Sequence, residues 1–286
     1  HEVISTVTAI RSTSSILVET EELEPEWQNR FHRNINEESR RLAEGAEALV
    51  RYLEGAASSE AEIRSPQDEV QAFLADNGFH FPALERVADD AALNGILSQS
   101  DVLVSDAARR LARDALWQYR ADARELPLSD VLSVVAEHGL SPDRIAQEFA
   151  CDLPVVFRRL ATLPEDAVGP VGLVSCDGAG TLVFRKPFSG FAMPRDAGAC
   201  ALWPLFQVLG QPQAPVRSLL RQAGRGQDKV LALAVAEQVS AATFERPALM
   251  HAHMLLLPVP VGEADNPVRD VGSSCRICPL RDCPAR

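Results

Sequence analysis

The sequence lacks a long hydrophobic run. No apolar stretch approaches the roughly eighteen residues that mark a membrane-spanning helix, and the chain does not open with a signal-peptide pattern. These two absences predict a cytoplasmic protein with no membrane partner. The chain begins at His1 rather than Met, within a stretch of helical periodicity, and we therefore expect a further segment upstream.

Positive charge is scarce as well. The 286 residues include 28 Lys and Arg against 40 Asp and Glu, which gives a formal net charge of -12. A balance of this sign argues against a broad phosphate-binding surface on the polypeptide itself. The chain has six cysteines, and in a reducing compartment we interpret them as metal ligands or buried thiols rather than as a disulfide framework.

Motifs that are typical of enzymes are also missing. The sequence has neither a serine nucleophile elbow nor a phosphate-binding glycine loop. His251 and His253 alternate along one predicted strand, but no nearby carboxylate or set of metal ligands accompanies them in the sequence. We therefore predict that the chain is not an enzyme.

The end of the chain does contain a dense cysteine motif. Cys275, Cys278 and Cys283 follow the spacing C-x2-C-x4-C, and the last two are each followed by a proline that stiffens the loop. Thiolates three positions apart can face one metal centre across a tight turn, and tetrahedral sulfur ligation suits zinc or an iron–sulfur cluster. The spacing leaves both metals open, with free or disulfide-bonded thiols as a third alternative. A fourth ligand must come from elsewhere in the chain.

The N-terminal part has helical periodicity. Apolar residues recur every three or four positions over residues 1–18 and again over 26–54, on either side of an acidic turn at Glu24 and Pro25. We predict an antiparallel helical hairpin over residues 1–55. Because such a hairpin cannot bury its apolar seam alone, we expect a homodimer in which two copies form a four-helix bundle.

Residues 1–11 and 31–42 resemble the hairpin helices of sensor histidine kinases, the first of which carries the phosphoacceptor histidine. The likeness implies a phosphoacceptor role for His1. However, no nucleotide-binding glycine boxes follow, and Thr6 stands where that family usually has proline. We interpret the segment as a dimerisation hairpin, with histidine-kinase-like phosphotransfer as an alternative.

A helical middle region is predicted after the hairpin. Residues 55–66 are rich in Gly, Ala, Ser and Glu and read as a linker. Residues 66–165 then carry helical patterns, which include three short helices over 128–163. Before those three, the helices should break at Asn77-Gly78, Phe81-Pro82 and Asn94-Gly95.

Residues 166–286 change to a pattern typical of a sheet. Val171–Cys176 and Thr181–Lys186 flank Asp177–Gly180, which predicts a β-hairpin. Further elements are expected as a helix over 201–210 and strands over 230–239 and 250–261. The fold class of the chain is therefore predicted to be α+β, with a mainly antiparallel C-terminal sheet that the cysteine loop closes.

Three separated motifs resemble the C-terminal domain of the short-chain fatty acyl transcriptional regulators. They are Cys176–Gly180, Gly198–Phe206 and Cys275–Arg286, and the resemblance covers about residues 140–286. It implies a regulator of genes for short-chain acyl-CoA use that binds acyl-CoA and a [4Fe–4S] cluster. Members of the family contact DNA through an N-terminal helix-turn-helix that is absent here, so DNA would be bound only through a domain missing from this chain.

The resemblance also implies site residues. Matched residue by residue, the cluster ligands would be Cys200, Cys275, Cys278 and Cys283, with zinc as the alternative metal. The phosphates of an acyl-CoA need cations and its acyl group needs an apolar wall. The candidate contacts for that ligand are Arg158, Arg159, Arg185, Lys186 and Trp203.

Overall fold

The computed structural model divides the chain into two compact units, His1–Arg64 and Ser65–Arg286. The residues that it describes are 2–19, 24–60, 65–86, 90–194, 198–212, 214–224, 228–263 and 266–286. None of the helices in these ranges is both long and apolar enough to cross a membrane.

The first unit is a helical hairpin, as the periodicity predicts. Helix α1 (Glu2–Glu19) contacts α2 (Pro25–Glu60). Helix α2 runs through residues 55–60, so the predicted linker is wrong over that stretch; its Ala and Glu residues are strong helix formers. His1, on which the phosphotransfer alternative depends, lies outside the described residues.

The buried positions on α1 differ from the predicted apolar seam. Thr6 and Thr13 are buried, and the Thr13 hydroxyl donates to the Ala9 carbonyl at 2.8 Å. The side chain of Val7, one of the apolar residues that recur over residues 1–18, is 46% exposed. A single hairpin therefore buries threonines on α1 and leaves apolar surface outside the packed face.

Four helices open the second unit: α3 (Pro66–Asp76), α4 (Pro82–Arg86), α5 (Asp90–Ser98) and α6 (Asp106–Glu125). The predicted breaks after α3 and before α4 are confirmed, but the predicted break at Asn94-Gly95 is wrong because α5 continues through it. Leu93 and Leu97 of α5 are buried. Their burial outweighs the cost of about 1 kcal/mol for a glycine inside a helix.

The three short helices predicted next are also present. They are α7 (Leu128–His138), α8 (Pro142–Phe149) and α9 (Leu153–Thr162), and a further turn of helix, α10 (Glu165–Val168), follows them. Gly139 ends α7 with a φ of 69°, a left-handed value that glycine adopts without steric cost.

A six-stranded sheet forms the rest of the second unit. Its strands are β1 (Gly172–Asp177), β2 (Leu182–Lys186), β3 (Val216–Gln222), β4 (Lys229–Ser240), β5 (Leu249–Pro258) and β6 (Val268–Val271), in the order β2-β1-β5-β4-β3-β6. All neighbours pair antiparallel except β3 and β6, which are parallel. The mainly antiparallel sheet is therefore confirmed, whereas β3 and β6 had no predicted counterpart.

Both faces of the sheet are covered. One face packs against α7, α8 and α9. The other packs against the segment that contains α11 (Pro204–Gln207) and a 3₁₀ turn at Val208–Gly210, with Trp203 fully buried between them and the strands. The predicted helix over 201–210 is thus shorter than expected and begins at Pro204, since proline is favoured in the first helical turn.

The helical region and the sheet are joined in one unit. The side-chain amides of Gln67 and Gln71 on α3 donate to the carbonyls of Val183 and Arg185 on the edge strand β2. The Gln71 carbonyl oxygen also accepts the Arg185 N–H at 3.2 Å. Helix α3 therefore covers an edge of the sheet that would otherwise present unpaired backbone groups.

Candidate metal centre

The end of β6 and the Cys200 segment are held together by backbone and side-chain hydrogen bonds. The Cys200 N–H donates to the Ser273 carbonyl at 3.0 Å, and the Trp203 indole N–H donates to the Gly272 carbonyl at 2.8 Å. In the other direction, the Gly272 N–H donates to the Cys200 sulfur at 3.3 Å. Cys200 is thereby fixed beside the start of the C-terminal cysteine loop.

Gly272 lies where two of the predicted ligands meet. A Cβ atom at this position would stand 2.7 Å from the Cys278 sulfur and 3.8 Å from the Cys200 sulfur. Both sulfurs thus lie within 4 Å of one point, although 78 positions separate the two cysteines (278 minus 200). The fold therefore brings the Cys200 and Cys278 sulfurs close to each other.

The other two predicted ligands lie in a short loop. Cys275 is exposed and Cys283 is half-buried, and neither forms a disulfide. The Arg286 guanidinium donates to the Cys275 carbonyl, and the Arg286 N–H donates to the Cys283 carbonyl at 3.1 Å. Within the described residues, no group of three or more His, Cys, Asp or Glu side chains is assembled to hold a metal ion.

The donor set nevertheless has the chemistry that a sulfur-ligated centre requires. Cys200 is buried and receives a backbone N–H, and Cys278 approaches the same point. All four predicted ligands are free thiols. Soft thiolates favour zinc or iron–sulfur clusters over hard cations, so the residues fit the implied group in kind.

The two remaining cysteines are less suitable as ligands. Burial raises the pKa of the Cys176 thiol to about 11, and burial followed by the charge of Glu125 raises the pKa of the Cys151 thiol. A raised pKa keeps a thiol protonated, whereas a metal ligand must be a thiolate. Neither residue belongs to the proposed ligand set, and we interpret both as structural thiols.

A cavity of about 550 Å³ adjoins the cysteine segments. Its lining runs from Ala201, directly after Cys200, to Pro284, directly after Cys283. The rings of Trp203 and Phe206 stack at a centroid distance of 6.5 Å on the apolar side. On the polar side the Arg269 guanidinium donates to the Gln207 side-chain carbonyl at 3.2 Å. The volume lies in the range of small-molecule sites.

Two of the predicted phosphate contacts form internal ion pairs. Arg158 donates to both carboxylate oxygens of Asp122 at 2.9 and 3.0 Å and to Glu237 at 2.9 Å. Arg159 is fully buried and donates to both oxygens of Glu85 at 2.8 and 2.7 Å. A phosphate could reach either guanidinium only by displacing a carboxylate.

The other two predicted cations also have internal partners. Arg185 donates to the Pro194 carbonyl at 3.0 Å, and the buried Lys186 ammonium donates to the Ala161 carbonyl at 2.8 Å. Burial lowers the pKa of Lys186. Of the five predicted ligand contacts, Trp203 lines the described cavity, and the cation that shares this cavity is Arg269. Sequence reasoning missed Arg269 because β6 was not predicted.

The Glu237 carboxylate lies next to His251 and His253, the two histidines of β5. Glu237 of β4 pairs with His251 across the strands, and its carboxylate accepts from His253 Nε2 at 2.9 Å. His253 Nδ1 lies 2.7 Å from the Ser175 hydroxyl. The expectation that no carboxylate is nearby is wrong, because strand pairing joins residues that are distant in sequence. Ser175 and His253 are both buried.

Comparison with known proteins finds relatives among transcriptional regulators. Residues 163–286 match the family described as short-chain fatty acyl coenzyme A regulator, C-terminal, which confirms the resemblance over that region. The HTH-type transcriptional regulator RamB of Mycobacterium tuberculosis, from two strains, is 25% identical over 207 residues. The match covers 65% of this chain and 43% of the relative, so it spans less than half the length of RamB.

A solved structure has a similar fold. It is described as a Mycobacterium tuberculosis transcriptional regulator and aligns with a TM-score of 0.58 at 22% sequence identity. The alignment covers 70% of this chain and 64% of that chain. At this identity the likeness supports the fold and carries nothing about the ligands.

Proposed function

We propose that this chain, whose residues 163–286 carry the C-terminal domain of the short-chain fatty acyl coenzyme A regulators, is the sensory and dimerisation region of a transcriptional regulator of short-chain acyl-CoA metabolism. It binds a short-chain acyl-CoA effector and a [4Fe–4S] cluster, and it performs no catalysis. DNA would be contacted by a separate helix-turn-helix domain, since its relative RamB is an HTH-type transcriptional regulator. Two hairpins, one from each of two copies, form the dimer interface.

The observation that carries the cluster proposal is the meeting of Cys200 and Cys278 at Gly272. Cys275 and Cys283 would complete the ligand set from the same loop as Cys278. When bound, a cluster supplies one-electron redox chemistry. The residues of the chain would hold it: the buried Cys200 accepts the Gly272 N–H, and the loop contributes the other three thiols from the chain end. Zinc held by the same four thiols is the alternative.

The effector would occupy the cavity beside this centre. Its acyl group would pack against Phe206 and Leu202, with the buried Trp203 behind them, and Arg269 would face a phosphate. Because the cavity lining includes the residues that directly follow Cys200 and Cys283, effector binding and the state of the centre would influence each other through shared segments.

Anaerobic purification followed by iron, sulfide and zinc analysis tests the cluster proposal. The wild-type protein should be brown, absorb broadly near 400 nm (the order expected for iron–thiolate charge transfer), and contain iron and sulfide in equal amounts. The Cys278→Ser variant should lose the colour, whereas the matched Cys151→Ser variant should keep it because Cys151 is a free thiol outside the proposed ligand set. A colourless wild-type protein with stoichiometric zinc would replace the cluster by the zinc alternative, and a coloured Cys278→Ser variant would reject the ligand assignment.

A further inference from the structure

We infer that Gly272 is a positioning residue of the metal centre, because its missing side chain admits Cys278 beside Cys200 and its N–H donates to the Cys200 sulfur. The inference rests on the proposed function in so far as a metal occupies the site. It concerns a residue that carries no metal-binding atom of its own.

Position 272 has little space for a side chain. A Cβ atom at position 272 would stand 2.7 Å from the Cys278 sulfur and 3.1 Å from the Cys278 Cβ. Both separations are shorter than the 3.5–4.0 Å of an ordinary non-bonded contact. Gly272 is not among the glycines with positive φ, so an alanine could adopt its backbone conformation. The need for glycine at this position is therefore a need for space next to a thiol.

The backbone N–H of Gly272 forms a hydrogen bond to the Cys200 sulfur. The Gly272 N–H lies 3.3 Å from the Cys200 sulfur, and both residues are buried. A donor to a thiolate stabilises its negative charge and raises the reduction potential of an attached cluster. Gly272 therefore affects both the assembly of the centre and its potential.

The backbone at Val271 and Gly272 is held by further hydrogen bonds. The Gly272 carbonyl accepts the Trp203 indole N–H at 2.8 Å, and the preceding residue, Val271, accepts the Ala223 N–H at 2.9 Å. Trp203 is fully buried, so the peptide that donates to Cys200 is held from the core side. Outer hydrogen bonds of this kind orient metal ligands, and their loss typically costs about 10- to 100-fold in metal affinity.

Gly198 provides a matched control within the same region. It lies two residues before Cys200, and a Cβ atom there would meet nothing within 4 Å. Its φ is not positive either. Gly198→Ala and Gly272→Ala therefore make the same chemical change near the same ligand, and only the second fills the space that the Cys278 sulfur occupies.

The experiment compares the full chain with both variants. Each protein is purified anaerobically and analysed for iron and sulfide, and the metal-free form is titrated with Co²⁺ alone, whose thiolate charge-transfer bands report metal binding. Gly198→Ala should match the wild type, whereas Gly272→Ala should bind Co²⁺ about 10-fold more weakly or worse and retain correspondingly less iron. Thermal unfolding of the metal-free forms separates loss of the site from loss of the fold.

The outcomes distinguish this inference from the proposed function. If the wild type holds a cluster and Gly272→Ala holds it equally well, the role of Gly272 is rejected while the cluster stands. If the wild type lacks iron but binds Co²⁺ and only Gly272→Ala does not, the cluster is rejected while the role of Gly272 stands. If the wild type binds neither metal, both are rejected.

Trp203→Phe tests the positioning role of Gly272 without placing an extra atom near the Cys278 sulfur. This variant keeps a ring in the core but removes the indole donor to the Gly272 carbonyl. The loosened peptide should donate less well to Cys200, so the reduction potential of the cluster should fall, or in the cobalt form the charge-transfer bands should shift. A purely structural tryptophan would lower the unfolding temperature and leave these signals in place, which would contradict the inference.

Discussion

His253 is the buried histidine of the sheet, and it is held by groups from several elements. Glu237 of β4 accepts from its Nε2, and the Ser175 hydroxyl of β1 faces its Nδ1. Arg158 of α9 donates hydrogen bonds to Asp122 of α6 and to the same Glu237 oxygen. The charge of His251 also acts on His253. Burial lowers the pKa of His253 and the Arg158 charge adds to this effect, although the Glu237 hydrogen bond opposes it.

This lowered pKa gives a pH dependence with a defined sign. Because the unfolded chain takes up the His253 proton at about pH 6.5 and the folded protein takes it up only at lower pH, acid favours the unfolded state. The free energy of unfolding should therefore fall as the pH drops below about 6.5 and stop responding to His253 once the pH is below its folded pKa. Urea unfolding at a series of pH values measures this.

Two variants isolate the contribution of His253 from that of other groups. His253→Asn removes the titrating ring and should flatten the curve between about pH 6.5 and 5. His138→Gln replaces a histidine whose side chain is 46% exposed and should leave the curve unchanged. A wild-type slope that persists in His253→Asn would assign the effect to another group.

At the scale of single residues, the sequence identified the cysteine ligand candidates but not the partners of the charged residues. The spacing of Cys275, Cys278 and Cys283 is local, and local spacing is visible in a sequence. The partners of Arg159 and Arg158 are not local: Glu85 lies 74 positions before Arg159, and Glu237 lies 79 positions after Arg158. Exposure of a charged side chain depends on such partners, so the predicted phosphate contacts could not be separated from internal ion pairs by sequence alone.

At the scale of elements, β6 and α11 together define the cavity beside the cysteine segments. Helix α11 supplies Phe206 and Gln207, and β6 supplies Arg269. The parallel pairing of β6 with β3 brings Arg269 opposite Leu220 and so places its element next to the cysteine loop. The cavity exists only because this strand returns to the sheet edge.

Effector binding to this cavity can be tested with a matched pair of arginines. Calorimetry with acetyl-CoA and propionyl-CoA under anaerobic conditions should give binding to the wild type. Arg269→Ala should weaken it about 10-fold or more, the size expected for a charge-assisted hydrogen bond. Arg217→Ala, which removes an exposed partner of Glu263 on β3, should bind as the wild type does.

The calorimetric titrations distinguish whether acyl-CoA binds from where it binds. Binding that survives unchanged in Arg269→Ala would place the effector elsewhere and leave acyl-CoA sensing intact. An absence of binding by the wild type to either thioester would reject acyl-CoA sensing itself.

Most helices and the central strands were predictable because their patterns are strong. The β1–β2 hairpin follows from Asp177–Gly180, and Gly139 and Pro142 mark the ends of α7 and the start of α8. Strands β3 and β6 were missed because arginines and an aspartate interrupt their short apolar patterns. Arg221 of β3 and Asp270 of β6 form an ion pair across the parallel strands at 2.7 and 2.9 Å, and only the folded sheet provides that pairing.

At the scale of the whole molecule, the N-terminal hairpin has a partly covered apolar seam. Phe31, Ile35 and Leu42 of α2 are half-buried, and Ile16 and Trp27 are 43% and 46% exposed. Large exposed apolar side chains on a two-helix unit are typical of an oligomerisation surface. This pattern supports a second copy as the partner of the hairpin.

Removal of residues 1–64 should therefore convert a dimer into a monomer. Light scattering coupled to size-exclusion chromatography should give twice the chain mass for the full chain and the single chain mass for residues 65–286, which form a compact unit of their own. The double variant Ile16→Asp with Phe31→Asp should also dissociate the dimer. A dimer that persists in the truncated protein would assign the interface to the second unit.

The sequence by itself indicated the helical hairpin, the α+β class, the three clustered cysteines and the resemblance of about residues 140–286 to a family of regulators, since each depends on local periodicity, spacing or short motifs. Only the tertiary structure shows how closely the Cys200 sulfur approaches the C-terminal loop, which arginines pair with buried carboxylates and that Arg269 lines the cavity beside the cysteine segments. Gly272 illustrates why local sequence patterns could not reveal these contacts. Its importance comes from the two sulfurs beside it, and their approach depends on β6 pairing with β3 and on Trp203 packing in the core. Contacts between residues distant in sequence are set by the packed fold as a whole, so no local pattern records them.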